Sequence, residues 1–286
     1  MDHVLPATLP PFELLMPTSQ TAPVVFASAH SGRNYPAHFI EAARLDPTGL
    51  RRSEDSFVDE LFAGVIGVGA PLLAATFPRA YCDPNREPWE LDPGMFADDL
   101  PPWVNTTSAR VGAGLGTLAR VVATGEAIYR DKLAFAEAEF RVRSCWKPYH
   151  DMLTALIEET KARFGACLLI DCHSMPAHAG SRGAGPDIVL GDAHGTACAG
   201  RVTQLVETTL VGMGYAVRRN DPYAGGYVTR HYGRPREGVH ALQIEIARGL
   251  YMDEASFKRR DGFERLREHL TRLAARLTES AAELLR

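Results

Sequence analysis

The sequence predicts one α/β domain with a central mixed, largely parallel sheet and helices on both faces. Three observations support this prediction. Short apolar runs rich in strand-forming residues alternate with segments of helical periodicity, as in proteins whose helices connect parallel strands. Several runs stop at clusters of polar residues, which is typical of strand ends that border a ligand crevice. The 286 residues contain no repeat, low-complexity run or linker, so we expect a single domain over residues 1–286.

The first quarter of the chain predicts an arm, a strand, a helix and a second strand. Residues 1–22 contain four prolines and predict an arm that lies over the surface. β-Forming residues at 23–29 predict a buried strand that opens into the polar cluster at 30–34. Three capping side chains then precede apolar residues at helical spacing, so we expect a helix over residues 57–66. Residues 72–77 read as the second strand.

The middle of the chain predicts a long loop followed by two helices and a strand. A stretch rich in glycine and proline at 84–116 has no clear periodicity, and its length indicates a functional loop. Helical patterns follow at 126–141 and 148–163. The compact apolar run at 167–171 predicts a third strand, which also ends at a polar cluster, residues 172–174.

The last third of the chain continues the alternation of strands and helices. Apolar runs predict strands at 187–190, 215–218 and 240–246, and the pattern at 196–211 predicts a helix among them. Residues 263–284 have apolar side chains spaced by three or four, which predicts a strongly amphipathic helix.

Composition disfavours nucleic acid and the membrane as partners. The 31 Lys and Arg residues against 35 Asp and Glu residues give a formal net charge of −4, which does not attract a polyanion. No run approaches the roughly 18 to 20 apolar residues of a membrane span, and the start lacks the pattern of an export signal. The five cysteines are widely spaced without a C-x-x-C pair, which fits a reducing compartment. We therefore expect a cytoplasmic protein without nucleic acid or membrane partners, and the oligomeric state stays open.

Two histidines and one acidic residue are candidates for a metal centre, and a second acidic residue is a candidate for another role. His30 and His173 each follow a predicted strand, and Asp55 precedes a predicted helix. Two imidazoles and a carboxylate suit catalytic zinc, which keeps a fourth position for water. Each residue also has a plainer explanation, since a histidine at a strand end is often only hydrogen-bonded and Asp55 could cap its helix. Glu245 differs, because an isolated acid inside an apolar strand is costly to bury without a partner or a role.

Two arginine-containing segments are candidates for substrate binding. Arg79, Asn85 and Arg86 offer two guanidinium groups and an amide directly after a strand, which is a natural receptor for carboxylates. The alternative is an Arg–Asp ion pair that fixes the loop. Further along, the glycine-rich segment 225–233 carries Arg230 and His231 and is a candidate for a loop that covers substrate.

Six segments, taken in this order, resemble the N-formylglutamate amidohydrolase (N-formylglutamate deformylase) family over about residues 23–255. They are Ser-Ala-His30-Ser-Gly-Arg33, Glu54-Asp55, Arg79-Ala-Tyr-Cys-Asp-Pro-Asn85-Arg86, Trp146-Lys-Pro-Tyr-His150, Asp171-Cys-His173-Ser-Met and Gln243-Ile-Glu245. The family is related to zinc carboxypeptidases and aspartoacylases. The resemblance therefore implies a phosphorylase/hydrolase-like α/β fold with a central mixed sheet and one Zn²⁺ per chain.

The resemblance also implies a role for each matching residue. His30, Asp55 and His173 would hold the zinc, and Glu245 would be the general base and acid. Arg79 would polarise the scissile carbonyl. The remaining expected substrate-binding residues are Arg33, Asn85, Arg86, Arg230 and His231, of which the Asn-Arg pair would hold one carboxylate and Arg230 is a candidate for a second.

The sequence departs from related folds at the carboxylate ligand. Those folds often place it three residues after the first histidine, where this chain has Arg33. The carboxylate must then come from the Glu54-Asp55 pair. Asp55 matches the family position better, and Glu54 remains an alternative.

The resemblance implies zinc-dependent hydrolysis of N-formyl-L-glutamate to formate and L-glutamate, as in the last step of one route of histidine breakdown. In that reaction Glu245 would take a proton from water and return it to the departing amine. Two alternatives remain. The enzyme could act on another N-acyl amino acid or peptide, or a metal-free relative could bind a dicarboxylate without turning it over.

Overall fold

The apolar runs form a seven-stranded sheet that positions the polar clusters along one edge. The computed structural model of the chain describes residues 10–177 and 185–285. In chain order the strands of the sheet are β1 (Phe12–Leu15), β2 (Val24–Ser28), β3 (Leu72–Ala75), β4 (Cys167–Met175), β5 (Ile188–Gly191), β6 (Val217–Arg219) and β7 (Val239–Ala247). Two short strands, β8 (Met252–Asp253) and β9 (Lys258–Arg259), pair with each other outside it.

The strand order in space is β1-β3-β2-β4-β7-β5-β6. Strands β3, β2, β4 and β7 are mutually parallel, whereas β1 is antiparallel to β3 and β5 is antiparallel to β7. Strand β6 pairs in parallel with β5 at the far edge. The predicted α/β fold with a mixed, largely parallel sheet is therefore confirmed.

Nine α-helices surround the sheet in the described residues. They are α1 (Ala37–Ala42), α2 (Pro47–Leu50), α3 (Val58–Phe62), α4 (Ala109–Gly112), α5 (Phe135–Arg141), α6 (Lys147–Phe164), α7 (Gly200–Gly212), α8 (Tyr227–Tyr232) and α9 (Gly262–Leu284). Helices α3, α7 and α9 pack on one face of the sheet, and α6 and α8 pack on the other. None of these helices is long and apolar enough to span a bilayer.

The two sheet faces bury two separate cores. Side chains of β4 alternate, so that Leu168, Ile170 and Cys172 join the core under α9. Cys167 and Leu169 join the core under α6 on the opposite face. Burying each large apolar side chain contributes about 1.5 to 3 kcal/mol. On the α6 face the apolar alternation stops after Leu169, and the next residues on that face are polar.

Three expectations about single elements need correction. Residues 12–15 of the expected arm form edge strand β1, because Phe12 and Leu14 pack into the core under α6; residues 1–9 lie outside the described part. The helix expected over 126–141 is restricted to Phe135–Arg141, since the preceding residues form isolated bridges with other loops. The α-helix expected over 57–66 is shorter than predicted, because α3 ends at Phe62 and the chain continues as a 3₁₀ helix, Ala63–Val68.

The long segment between β3 and α5 packs over the carboxyl edge of the parallel strands. It contains one 3₁₀ turn, Pro93–Met95, and α4, with a small apolar cluster of its own that includes Leu91, Phe96 and Leu118. This segment carries Arg79, Asp83, Asn85, Arg86 and Arg110 to the cavity described next.

Candidate active site

Three neighbouring parallel strands bring the predicted residues together. His30 follows β2, His173 lies in β4 and Glu245 lies in β7. Because β2, β4 and β7 run in parallel, their carboxyl ends meet at one edge of the sheet. His173 is the direct partner of Glu245 in the β4–β7 register, so the two side chains point to the same face.

His30, Asp55 and His173 form a compact set of metal donors. One donor atom from each lies within 4.8 Å of the other two. His173 Nδ1 is 3.0 Å from Asp55 Oδ2, and His30 Nδ1 is 3.5 Å from the same oxygen. All three residues are at most 2% exposed. Two imidazoles and one carboxylate are the donor types of many catalytic zinc sites.

The outer nitrogen of each imidazole contacts a buried carboxylate. His30 Nε2 is 2.7 Å from Asp83 Oδ1, and His173 Nε2 is 2.8 Å from Asp171 Oδ1. An imidazole that donates its Nε2 proton to such a carboxylate has its Nδ1 lone pair available for a metal ion. His30 Nδ1 is buried and has no hydrogen-bond partner in the described residues. Such an unpartnered nitrogen fits a metal ligand, so these residues suit zinc.

The two carboxylate oxygens of Asp55 have different partners, since Oδ2 faces the two imidazoles and Oδ1 faces Arg248 and Ser174. Its Oδ1 accepts hydrogen bonds from Arg248 Nη2 at 3.0 Å and from Ser174 Oγ at 3.1 Å. Burial opposes ionisation of Asp55, but His173, His30 and Arg248 hold its pKa well below the usual value. The carboxylate is thus ionised and oriented with Oδ2 towards the histidines.

The carboxylate of Glu54 is hydrogen-bonded to residues outside the donor set. Its carboxylate accepts hydrogen bonds from Arg51, Ser56 and Tyr35. It does not line the cavity that holds the donor set. Between the two acids considered from the sequence, the structure brings Asp55, and not Glu54, to the histidines.

Glu245 lies beside the donor set without an ion-pair partner in the described residues. The amide Nε2 of Gln243 donates to Glu245 Oε1 at 2.8 Å. Burial raises the pKa of Glu245 to about 7, although the nearby His173 lowers it. A carboxyl group with such a pKa can both accept and release a proton near neutral pH.

The donor set and Glu245 line a cavity of about 370 Å³ that is rich in arginine. The arginines at its wall are Arg79, Arg86, Arg110, Arg230 and Arg248. A second cavity of about 300 Å³ adjoins it and shares Arg86, Arg110 and Arg230. The site therefore suits a small anionic ligand, even though the whole chain is acidic.

Asp83 connects the arginines to the donor set. Arg79 Nη2 is 2.8 Å from Asp83 Oδ2, while the other oxygen of Asp83 contacts His30. Asn85 Nδ2 lies 3.0 Å from His173 Nε2, and Asn85 Oδ1 accepts a hydrogen bond from the Val228 backbone N–H. Arg79 therefore forms an ion pair with Asp83 and also lines the cavity, so the two explanations considered from the sequence both apply.

Comparison with known proteins agrees with this geometry. The family model for N-formylglutamate amidohydrolase matches residues 22–252. The chain belongs to the N-formylglutamate amidohydrolase family. N-formylglutamate deformylase of Pseudomonas aeruginosa is 31% identical over 239 residues, or 81% of this chain and 83% of that relative. The enzyme of the same name from Pseudomonas putida is 29% identical over 220 residues, covering 75% and 74%.

Solved structures give the same assignment. The crystal structure of N-formylglutamate amidohydrolase from Ralstonia eutropha JMP134 has a TM-score of 0.89 at 40% identity, covering 95% of this chain and 98% of that one. A gene product of Agrobacterium tumefaciens, with a TM-score of 0.67 at 18% identity, shares the fold. The chain is thus an amidohydrolase of the N-formylglutamate amidohydrolase family.

Two expected substrate-binding residues of this family member lie apart from the donor set. Arg33 is 42% exposed and pairs with Asp59 and Glu60 at 2.8 and 3.2 Å. It does not line the arginine-rich cavity, because these acids of α3 hold it at the surface. His231 stacks on Tyr227 and lines the second cavity. The segment expected to be a covering loop is largely the short helix α8.

Sequence reasoning missed two cavity arginines of this amidohydrolase. Arg248 follows β7 directly and binds Asp55, and Arg110 lies in α4 within the irregular segment. Neither residue belongs to a cluster or a motif. The position of Arg248 at the end of a strand on the active edge was the one available signal, and Arg110 had none.

Proposed function

We propose that the protein hydrolyses N-formyl-L-glutamate to formate and L-glutamate with the help of a zinc ion. The observation that carries the proposal is the buried Glu245 beside the donor set of His30, Asp55 and His173, at the wall of an arginine-lined cavity. The relatives named N-formylglutamate deformylase support the choice of a formyl amide.

His30, Asp55 and His173 would hold the zinc. When bound there, zinc supplies Lewis acidity that makes water acidic enough to react near neutral pH. Asp83 and Asp171 keep the two imidazoles oriented, and Arg248 keeps Asp55 oriented. Such outer contacts commonly raise both metal affinity and ligand basicity.

Glu245 is the proton carrier in this proposal. Its carboxylate accepts a proton from the attacking water, whose oxygen forms the new bond to the formyl carbon. The carbon–nitrogen bond then breaks, and Glu245 returns the proton to the departing nitrogen. The formyl carbon leaves as formate and the nitrogen leaves as the amine of glutamate. Gln243, which donates to Glu245 Oε1, holds the carboxylate in place.

Arg79, Asn85 and Arg86 act on the substrate. Asp83 fixes Arg79 through one guanidinium nitrogen, and the other N–H groups are left for the oxygen of the scissile carbonyl. A fixed positive charge at that oxygen stabilises the negative charge that develops during attack. Asn85 and Arg86 border the same cavity and are suited to a substrate carboxylate.

Formate release tests the proposal directly. The purified chain is incubated with N-formyl-L-glutamate as isolated, after chelation, and after chelation followed by added zinc. We expect release that is lost on chelation and restored by zinc, with about one zinc per chain by elemental analysis. Bound zinc without formate release would reject the substrate, and other N-acyl amino acids would then be assayed. Formate release that persists in a metal-free protein would reject the metal-dependent reaction.

A further inference from the structure

Two of the five arginines at the main cavity lack an acidic partner. Arg79 and Arg86 face Asp83, at 2.8 and 3.8 Å, and Arg248 pairs with Asp55 at 3.0 Å. In the described residues, Arg110 and Arg230 have no salt bridge. Charged groups at a cavity wall that no protein group neutralises are suited to bind charge on a ligand.

Arg110 and Arg230 stand where the two cavities adjoin. Both line the main cavity and also the second cavity. They come from different elements, α4 and α8, so the chain brings them together from positions 120 residues apart in sequence. Arg86 also lines both cavities, so three arginines share this wall.

The acidic residues of the second cavity do not neutralise this pair. Glu87 Oε2 accepts a hydrogen bond from Asn105 Nδ2 at 3.0 Å. Glu90 Oε2 accepts one from the backbone N–H of Glu87 at 3.1 Å. Neither carboxylate lies within ion-pair distance of Arg110 or Arg230 in the described residues, so both guanidinium groups are available to an anionic ligand.

We propose that Arg110 joins Arg230, which the resemblance already makes a candidate for a second carboxylate, in one subsite for the side-chain carboxylate of the substrate, and that the pair thereby selects an acidic amino acid. The inference rests on the proposed function, in which Asn85 and Arg86 hold the other carboxylate. An uncharged side chain would leave two positive groups near each other without an anion, so it would be disfavoured. Arg110 and Arg230 are specificity-determining residues in this proposal and take no part in bond breaking.

Binding of the amino-acid product tests the subsite without relying on turnover. L-Glutamate and L-glutamine, which differ in one charge, are titrated calorimetrically into the zinc-loaded chain and into its Arg110→Gln and Arg230→Gln variants. We expect the wild type to prefer L-glutamate. Each variant should bind L-glutamate about tenfold more weakly and bind L-glutamine almost unchanged. The double variant should bind the two amino acids alike.

Arg272→Gln is the matched control, because it removes the same charge from an exposed position on α9. It should leave both affinities unchanged. Equal discrimination in the wild type and the Arg110 and Arg230 variants would overturn the subsite, as would a wild type without preference. Formate release is measured on the same proteins. A wild type that selects L-glutamate through these arginines but releases no formate would overturn the proposed function and keep the subsite.

Discussion

At the scale of single residues, carboxylates decide what each active-site group can do. Asp83 contacts both His30 and Arg79, so one buried acid orients a metal donor and a substrate-binding group. Burial opposes ionisation of Asp83, but Arg79, His30 and Arg86 hold its pKa well below the usual value. Glu245 has no arginine within ion-pair distance in the described residues, and burial raises its pKa. Neighbouring acids thus have different roles because their partners differ.

Replacing Glu245 by Gln should stop catalysis and leave the metal in place. Glutamine keeps the shape of the side chain but cannot accept the proton, so we expect kcat to fall by about 10²- to 10⁴-fold. Formate release and elemental zinc are measured together. Glu158→Gln, an exposed position on α6, is the control and should keep full activity. A Glu245→Gln protein with more than a few per cent of the wild-type rate would contradict the assignment.

His150 should make the stability of the protein sensitive to acid. Its Nε2 donates to the Pro84 carbonyl and its Nδ1 accepts from Tyr232, so both nitrogens are used by the neutral ring. Burial lowers its pKa from 6.5 to about 4, and His231 adds to the effect, whereas Asp171 and Asp151 oppose it. The unfolded chain therefore takes up a proton first as the pH falls. This contribution to stability is complete above pH 6.5 and is lost towards pH 4.

The His150→Gln variant tests this difference. Between pH 7 and pH 4 the wild type should lose about 3 kcal/mol more unfolding free energy than the variant. Denaturant unfolding of both proteins with chelator present measures the loss and removes any effect of metal release. Parallel curves for the two proteins over this pH range would show that His150 is not the group responsible.

The residue scale also shows where the sequence was informative. Glu245 could be singled out because an acid inside an apolar strand needs a reason. Arg33 was misleading, since its position after His30 in the chain does not reveal that Asp59 and Glu60 hold it at the surface. Arg110 lies at the cavity because an irregular segment folds back over the sheet. The spacing of residues in the sequence does not predict the course of such a segment.

At the scale of elements, α6 and the turn before it fix the backbone of residues 84–86, which include Asn85 and Arg86. Trp146 Nε1 donates to the Arg86 carbonyl at 3.0 Å, and His150 Nε2 binds the Pro84 carbonyl at 2.8 Å. Trp146 belongs to a π-helical turn, Val142–Trp146, between α5 and α6. Such turns often occur next to functional sites. Here the turn and the first part of α6 supply the donors that fix the backbone of residues 84–86.

The entry to α8 packs tightly on the same segment, so Gly226→Ala should disturb substrate binding. A Cβ at Gly226 would lie 2.4 to 2.6 Å from side-chain atoms of Asn85. Asn85 would have to move away from Val228 and His173, and we expect kcat/KM to fall at least about tenfold with a stability loss of about 1 to 3 kcal/mol. Gly212→Ala is the control, since its Cβ would meet nothing within 4 Å. Unchanged kcat/KM in Gly226→Ala would contradict the close approach.

At the scale of the whole molecule, metal binding should stabilise the fold. The donors come from the loop after β2, from β4 and from the segment before α3, so the site is complete only when these parts are assembled. Zinc at 100 times its dissociation constant adds about 2.7 kcal/mol. We expect chelation to lower the Tm of the wild type by roughly 5 °C. Scanning calorimetry measures this change.

His173→Ala supplies the comparison for that measurement. The variant lacks one donor and should bind little zinc, so chelator should leave its Tm unchanged. Stoichiometric zinc in His173→Ala, or a wild-type Tm that does not respond to chelator, would show that the three donors do not form the metal site.

For the whole molecule, the sequence predicted a sheet covered by helices on both faces, but it did not predict the order of the strands in that sheet. Periodicity located β2, β4, β7 and α9, because each buries a regular apolar face. It could not reveal that β7 lies between β4 and β5 or that Phe12–Leu15 joins the edge, since pairing partners far apart in the chain leave no local signal. The donor set was within reach because polar clusters after parallel strands share one edge.

The register of β4 with β7 ties function to folding. If β7 slipped by one residue against β4, Ile244 would turn towards the cavity and Glu245 would enter the apolar layer beneath α9. Burying that acid in the apolar layer would destabilise the slipped chain by several kcal/mol. A misregistered molecule could therefore not persist as a well-packed but inactive protein.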